Sequence, residues 1–510
     1  MNDSSLSAQA TDSQIVVSNS LIMLVRRLIL WLLSAVLILF LPKYLGAEGL
    51  GQLAFATSTA ALFITLLTLG VGRFLIKEIA RNHTVISTYL GSAIALRAIM
   101  SLVVLAAIII VSQFATDSEI SRRVMWIAAA TIVVNSFMGL GNSVLNGLEN
   151  LKWPATVEVL SKLIVVVAGV TVLVQGFGVI GYALVLLGAA AFGLTLNLIY
   201  VPRHVSVGLR LEVSQIKTLV VGGLPFILMG VLLSIYNHTD TVILRLFTDD
   251  SVVGWYAAAN QIYGTIDMLP MVFTAALLPT LSRVYATDGR AAIAMAQKSL
   301  AVVAIAIIPI SFGVSLFSGV IIERLPYPAE FQNSVPLLTI LALTIPATAF
   351  LVIIGTVAIA MDRHKAWTYG LLATVSLNVL LNIIFAPIFQ ERYGNGGIGV
   401  AITTFMTEVL MVAIGLWIMP KGLIDRSLIV LFLKVAGSGG LMVIAILGFR
   451  IVGLGDVLQI VLGGAVYVLL VLVTGAVTSN DLRMIRSIVA QKTRRGDPSA
   501  SVGPNGGRNG

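Results

Sequence analysis

The sequence predicts an all-α polytopic membrane protein with about 14 transmembrane helices: two six-helix lobes related by an internal repeat, plus two C-terminal helices. Three observations predict it. The first is composition. Of 510 residues, 58% are hydrophobic and 11% charged, and the mean hydropathy is +1.00. That leaves too little polar surface to cover a water-soluble globule. The second is spacing. Apolar runs recur at lengths of about 20 residues, enough to cross a hydrocarbon core of about 30 Å, and nothing alternates with period two as a membrane barrel would. The third is repetition. Leu45 to Ala56 joins the first two apolar runs, and Asp249 to Ala259 stands at the matching place in the second half. Gly147-Leu148-Glu149-Asn150-Leu151-Lys152-Trp153 likewise matches Ala360-Met361-Asp362-Arg363-His364-Lys365-Ala366, and Gly178-Val179-Ile180-Gly181 matches Gly396-Gly397-Ile398-Gly399. The offset drifts from 203 to 213 to 218, as loop insertions would make it. Two similar bundles imply a cleft between them.

In chain order, residues 1–18 are polar, with no cationic n-region or small-residue cleavage site, and are expected to form a cytoplasmic segment rather than a removable signal. The N-lobe, 19–201, holds helices at 19–41, 50–72, 88–113, 123–146, 153–175 and 179–201. The repeated glycine-bearing loops separate helices one from two, four from five and five from six. Arg73, Lys77 and Arg81 follow helix two, and Arg122 with Arg123 stands at the start of helix four. The C-lobe, 217–419, holds helices at 217–240, 253–282, 298–322, 335–360, 366–389 and 397–419. Pro225, Pro270, Pro279, Pro309 and Pro346 fall inside these second-lobe helices, where each frees a backbone carbonyl and permits bending. Helices at 428–450 and 456–477 lie outside the doubled pattern as an appended pair, and 478–510 is a basic, disordered cytoplasmic tail.

Lys and Arg alternate between loops. With both termini cytoplasmic, 21 of the 32 fall on the cytoplasmic side, 7 on the other and 4 inside helices. This bias supports the even helix count and a multi-pass protein of the cell membrane. It also accounts for the net charge of +9 without a nucleic-acid partner. The chain has no cysteine and its four histidines show no metal-ligand spacing, so neither a cofactor nor a metal is expected. Connections of about fifteen residues at most leave no room for a soluble catalytic domain, and the chain is not expected to be an enzyme.

Charges within the apolar runs mark candidate sites, since each costs about 2.5–3.5 kcal/mol at the centre of a span. The first lobe contributes cations: Arg26, Arg27, Arg97 and Lys162. The second contributes acids, Asp240, Asp267 and Glu408, accompanied by Asn237, His238, Asn260, Asn378 and Asn382. Buried cations suit a phosphate or diphosphate, and the acids suit gating or a coupling cation, Na+ or H+. Each has a plainer reading. Arg26 and Arg27 lie close enough to the cytoplasmic end to snorkel. Glu158 and Lys162, at i and i+4, can neutralise each other, Asp240 can pair with Arg245, and the asparagines can serve as interhelical glue. Asp267, between Gly264 and Pro270, sits where an interrupted helix would expose backbone groups.

At these residues the chain resembles the multidrug/oligosaccharidyl-lipid/polysaccharide exporter superfamily, and within it the Wzx-type polysaccharide (O-antigen, lipid-linked oligosaccharide) flippases. The resemblance runs over roughly 15–480. It rests on the order and spacing of Tyr44-Leu45-Gly46-Ala47-Glu48-Gly49-Leu50-Gly51, Leu69-Gly70-Val71-Gly72-Arg73-Phe74 with Arg81, Leu224-Pro225-Phe226, Ile235-Tyr236-Asn237-His238-Thr239-Asp240, Val253-Gly254-Trp255-Tyr256, Leu277-Leu278-Pro279 and Tyr393-Gly394-Asn395-Gly396-Gly397-Ile398-Gly399. It implies two lobes, alternating access, and movement of a polyprenyl-diphosphate-linked glycan from the cytoplasmic to the outer leaflet of the lipid bilayer, alongside glycan-assembly proteins. Arg26, Arg27, Arg97 and Lys162 are then the implied diphosphate contacts. Fourteen helices also fit the lipid II flippases of peptidoglycan synthesis. A cation-coupled multidrug exporter keeps the fold with another substrate, and a membrane-embedded polysaccharide polymerase is the reading from a different class.

Overall fold

A computed structural model describes residues 3–205, 212–420 and 422–477; the expected tail at 478–510, together with Arg210 and Lys421, lies outside the described residues. Among the described residues there are helices and no strands. α1 (Asp3–Thr68) is followed by α2 (Val71–Arg81), α3 (Ile86–Ala115), α4 (Glu119–Gly147), α5 (Lys152–Val174) and α6 (Gly178–His204). Then come α7 (Val213–Phe247), α8 (Asp250–Thr287), α9 (Gly289–Leu316), the short α10 (Ser318–Arg324), α11 (Val335–Ala360), α12 (His364–Tyr393), α13 (Gly396–Ile418), α14 (Arg426–Ile451) and α15 (Asp456–Val473).

Twelve stretches among the described residues are long and apolar enough to cross a membrane. One of them, Val25–Thr68, has 44 residues. At 1.5 Å per residue that is about 66 Å, twice a hydrocarbon core of about 30 Å. α1 is in fact two helices meeting at Gly46, whose φ of 65° and ψ of −177° break the helix at a conformation that favours glycine. Counting both halves makes thirteen, and the 38-residue α8 stands where the sequence places its helix at 253–282. α8 continues through Pro270 and Pro279 without the interruption expected near Asp267.

The sequence predicts no helix between 72 and 88, yet α2 forms there. Its buried Val71, Phe74, Leu75 and Ile79 occupy one helical face, while Arg73, Lys77 and Arg81 take the other. This is amphipathic periodicity on a segment too polar to span.

α4, α5 and α6 pack on one another and on α1. In the second half, α7 packs on α12, α8 on α11, and α13 on both α11 and α12. The halves meet where α1 runs along α7 and α8. The sequence repeat is visible in the backbone. Glu149 and Asp362, 213 positions apart, both adopt a left-handed conformation, with φ of 60° and 57°. Each is followed by the same closure: Asn150 N donates to Leu145 O at 2.9 Å and Arg363 N to Ala358 O at 2.8 Å.

The repeated glycines Gly51 and Gly254 touch the opposite half reciprocally. A Cβ at Gly51 would lie 1.7 Å from Asp250 O, and one at Gly254 would lie 1.8 Å from Ala47 O. Further along the same seam, a Cβ at Gly70 would lie 2.5 Å from Gly223 O and one at Gly223 2.1 Å from Leu69 O.

A second compact unit comprises, among the described residues, Ile293–Gly313, the central part of α9, with 422–477. Within it Tyr467 Oη donates to Ile305 O at 2.7 Å, and Phe312 covers Gly439 so closely that a Cβ there would meet its ring at 2.9 Å.

Candidate functional site

The three candidate acids come together. Asp240 on α7, Asp267 on α8 and Glu408 on α13 line one cavity of about 210 Å3, shared with Tyr236, Tyr256 and Tyr263. Helical spacing builds its walls. Positions 236 and 240 are one turn apart on α7, 374 and 378 on α12, and 404 and 408 on α13, while 256, 260, 263 and 267 share a face of α8. No Lys, Arg or His lines the cavity among the described residues.

Neutral donors saturate Asp240. Asn382 Nδ2 donates to its Oδ1 at 2.7 Å, and Thr404 Oγ1 and Tyr256 Oη donate to its Oδ2 at 2.9 and 3.1 Å. Asn382 Nδ2 also reaches Asn378 Oδ1 at 3.1 Å, and Asn378 Nδ2 reaches Thr407 Oγ1 at 3.3 Å. The expected Asp240–Arg245 pair is not formed. Arg245 Nε instead donates to Asp250 Oδ1 at 2.5 Å, and its Nη2 donates to Thr116 Oγ1 of the first half at 3.2 Å. Ser121 Oγ on α4 donates to the other Asp250 oxygen at 3.1 Å. This ion pair therefore ties the halves together beside the Gly51–Gly254 contact.

Glu408 is less well satisfied than Asp240. Tyr236 Oη donates to its Oε1, while Oε2 is buried with no hydrogen-bond partner, as is Asp267 Oδ1. Asn382 Oδ1, next to Asp240, is likewise buried without one. Rotating that amide by half a turn would bring its oxygen towards the Asp240 carboxylate. The Asp240 set then offers carboxylate, amide and hydroxyl oxygens, the donor type that hard cations take. No cluster of three His, Asp or Glu side chains suited to a metal ion occurs among the described residues, so a cation held here would face one carboxylate and neutral oxygens.

The cations of the first half divide into two places. Arg26 Nη1 lies 3.0 Å from Glu158 Oε2 where α1 packs on α5. Glu158 thus pairs across helices rather than with Lys162 on its own. Arg27 and Lys162 are half-buried. Arg97 on α3 is 4% exposed, and its Nη1 is buried with no partner. A separate polar cleft of about 450 Å3 runs between α1, α2, α4 and α7, lined by Arg73 and His238 with Thr65, Ser143, Ser234 and Asn237.

Sequence reasoning missed Tyr256, Thr404, Asp250, Thr116 and Ser121. Hydroxyl-bearing residues in apolar helices carry no signal of their own, and the partners of Asp240 come from three other helices.

The fold and these buried charges define a multi-pass membrane protein. Residues 16–285, just over half of the chain, match the family described as polysaccharide biosynthesis protein. The chain belongs to that family. Residues 225–384 also match the MatE family. The chain is 26% identical over 237 residues to the "Probable flippase AglR" of Haloferax volcanii, a match covering 45% of this chain and 48% of that protein. It thus spans about half the length of that relative. Among solved structures, "Lipid II flippase MurJ, inward closed conformation" superposes with a TM-score of 0.70 at 15% identity, covering 89% of this chain and 98% of the other. An inward-facing multidrug resistance MATE family transporter of the MOP superfamily gives 0.60 at 17% identity, covering 76% and 93%. At such identities these two show a shared fold.

Proposed function

We propose that the protein is a transporter of the cell membrane that flips a polyprenyl-diphosphate-linked oligosaccharide from the cytoplasmic to the outer leaflet by alternating access, in cell-surface polysaccharide biosynthesis. Family membership supports the pathway class, and the described flippase relative supports the activity. The observation that carries the anionic head group is Arg97, 4% exposed with a buried, partnerless Nη1. A guanidinium at membrane depth without a carboxylate is costly unless an anion completes it. Arg26, Arg27 and Lys162 would add cations for the diphosphate, and Asp240 with its neutral oxygens would hold the coupling cation. Both termini would face the cytoplasm, with the Lys and Arg bias as support.

The test is translocation of a fluorescent prenyl-diphosphate-linked sugar by the full chain in proteoliposomes. Arg97→Gln and Lys162→Gln are each expected to slow it at least about tenfold, the scale of losing a charge-assisted contact to phosphate. Unchanged rates in both variants would overturn the cationic head-group site.

A second reading draws on the acid cavity. Three carboxyl-bearing residues and three tyrosines facing one space also suit an organic cation, as in a cation-coupled multidrug exporter. Uptake of a lipophilic quaternary ammonium that survives Arg97→Gln and fails with Glu408→Gln would favour it. A lipid II flippase differs from the first reading in the glycan alone, and a lipid II arm in the same proteoliposomes separates the two.

A further inference from the structure

The pairing of Arg26 deepens this reading of the head-group site, on which it rests. Two packed helices carry Arg26 on α1 and Glu158 and Lys162 on α5. Glu158 and Lys162 are one turn apart, and that spacing alone would let them neutralise each other. The carboxylate goes elsewhere: Glu158 Oε2 lies 3.0 Å from Arg26 Nη1, and no ion pair of Lys162 occurs among the described residues. One carboxylate thus serves two cations, and the group keeps a net positive charge. Exposure is uneven. The Arg26 side chain is 23% exposed and that of Glu158 48%, while Arg26 Nε is buried without a partner. The cation is the better embedded member, and its counterion is the one open to replacement.

We propose that Glu158 is a built-in competitor anion. It occupies Arg26 while the site is empty and yields that guanidinium to the diphosphate of the substrate, which then binds Arg26 and Lys162 together. A diphosphate presents more oxygens and more charge than one carboxylate, and guanidinium binds phosphate oxygens in a two-pronged geometry that Glu158 uses only in part. The displaced carboxylate, about half exposed, is free to turn away from Arg26 as the diphosphate arrives. It opposes retention of the diphosphate after the site turns to the other leaflet, so Glu158 sets affinity low enough for release. Without such a counter-charge, the two cations would hold a diphosphate as a trap.

The experiment uses the full chain in nanodiscs of zwitterionic phosphatidylcholine, with equilibrium binding of farnesyl diphosphate as the probe and inorganic pyrophosphate as the head-group-alone arm. Glu158→Gln keeps shape and removes charge. It is expected to tighten farnesyl diphosphate about tenfold, the scale of one partly screened charge contact, while Arg26→Gln weakens it about tenfold. In the Arg26→Gln background the gain from Glu158→Gln should vanish, because the competition runs through Arg26. Glu158→Asp, which keeps the charge on a shorter stem, should fall between wild type and Glu158→Gln and guards against misfolding of the amide variant. Pyrophosphate should give the same order of variants; a gain seen with farnesyl diphosphate and absent with pyrophosphate would mean that the isoprenyl chain, not the diphosphate, answers to Glu158. Glu158→Gln binding no tighter than wild type, or an equal gain without Arg26, overturns the proposal. Since binding is read at equilibrium, a Glu158 effect without translocation would remove the flippase reading, and translocation without a Glu158 effect would remove this inference.

Discussion

At the scale of residues, Asp240 shows how a carboxylate is kept at membrane depth without a cation. Asn382, Thr404 and Tyr256 each give it a hydrogen bond, so both oxygens are satisfied by neutral groups. If this set holds the coupling cation, Asp240→Asn removes the single charge and keeps the volume. Sodium binding to the purified protein, read by calorimetry, should fall below detection, whereas Tyr256→Phe, which removes one donor, should retain it. Sodium binding unchanged in Asp240→Asn would exclude the assignment. The acids were legible in the sequence because a charge within an apolar run is conspicuous, and the structure places all three in one cavity. Their partners were not. Thr404 and Tyr256 look like ordinary helix residues until α7, α8, α12 and α13 are brought together. Pairing by helical spacing also misled: Glu158 has Lys162 one turn away, yet it faces Arg26 across the α1–α5 contact.

At the scale of elements, the repeat explains where the halves touch. Gly51 and Gly254 were found in the sequence as matching loop glycines, and the structure gives the reason for both: each leaves no space between its own helix and a carbonyl oxygen of the other half. Gly254→Ala would place a methyl 1.8 Å from Ala47 O, so the seam must part there. The expected result is a loss of thermal stability and of transport together, while Gly464→Ala on α15, where a Cβ meets nothing within 4 Å, leaves both unchanged. Equal melting temperatures for the two variants would show that the seam is not closed as described. The long apolar elements were readable because their length and composition suffice. α2 was not, since its apolar face is spaced for an interface rather than a span, and Gly46 turns two expected helices into one broken α1.

At the scale of the whole molecule, the composition and the Lys and Arg bias gave the membrane class and the expected orientation, but they carry no information on which end of the seam is closed. That depends on contacts between residues far apart in the chain: the reciprocal glycines, and Arg245 and Asp250 reaching Thr116 and Ser121. Alternating access requires this end to part in one stage of transport. The absence of cysteine from the chain permits a direct measurement. Spin labels on Asp117→Cys and Asp249→Cys, two exposed positions beside the ion pair, report the separation by pulsed electron paramagnetic resonance in nanodiscs. The expected result is a short distance that gives way to a second, longer population when sodium or farnesyl diphosphate is added. A single short distance that no ligand, ion or pH change shifts would contradict it.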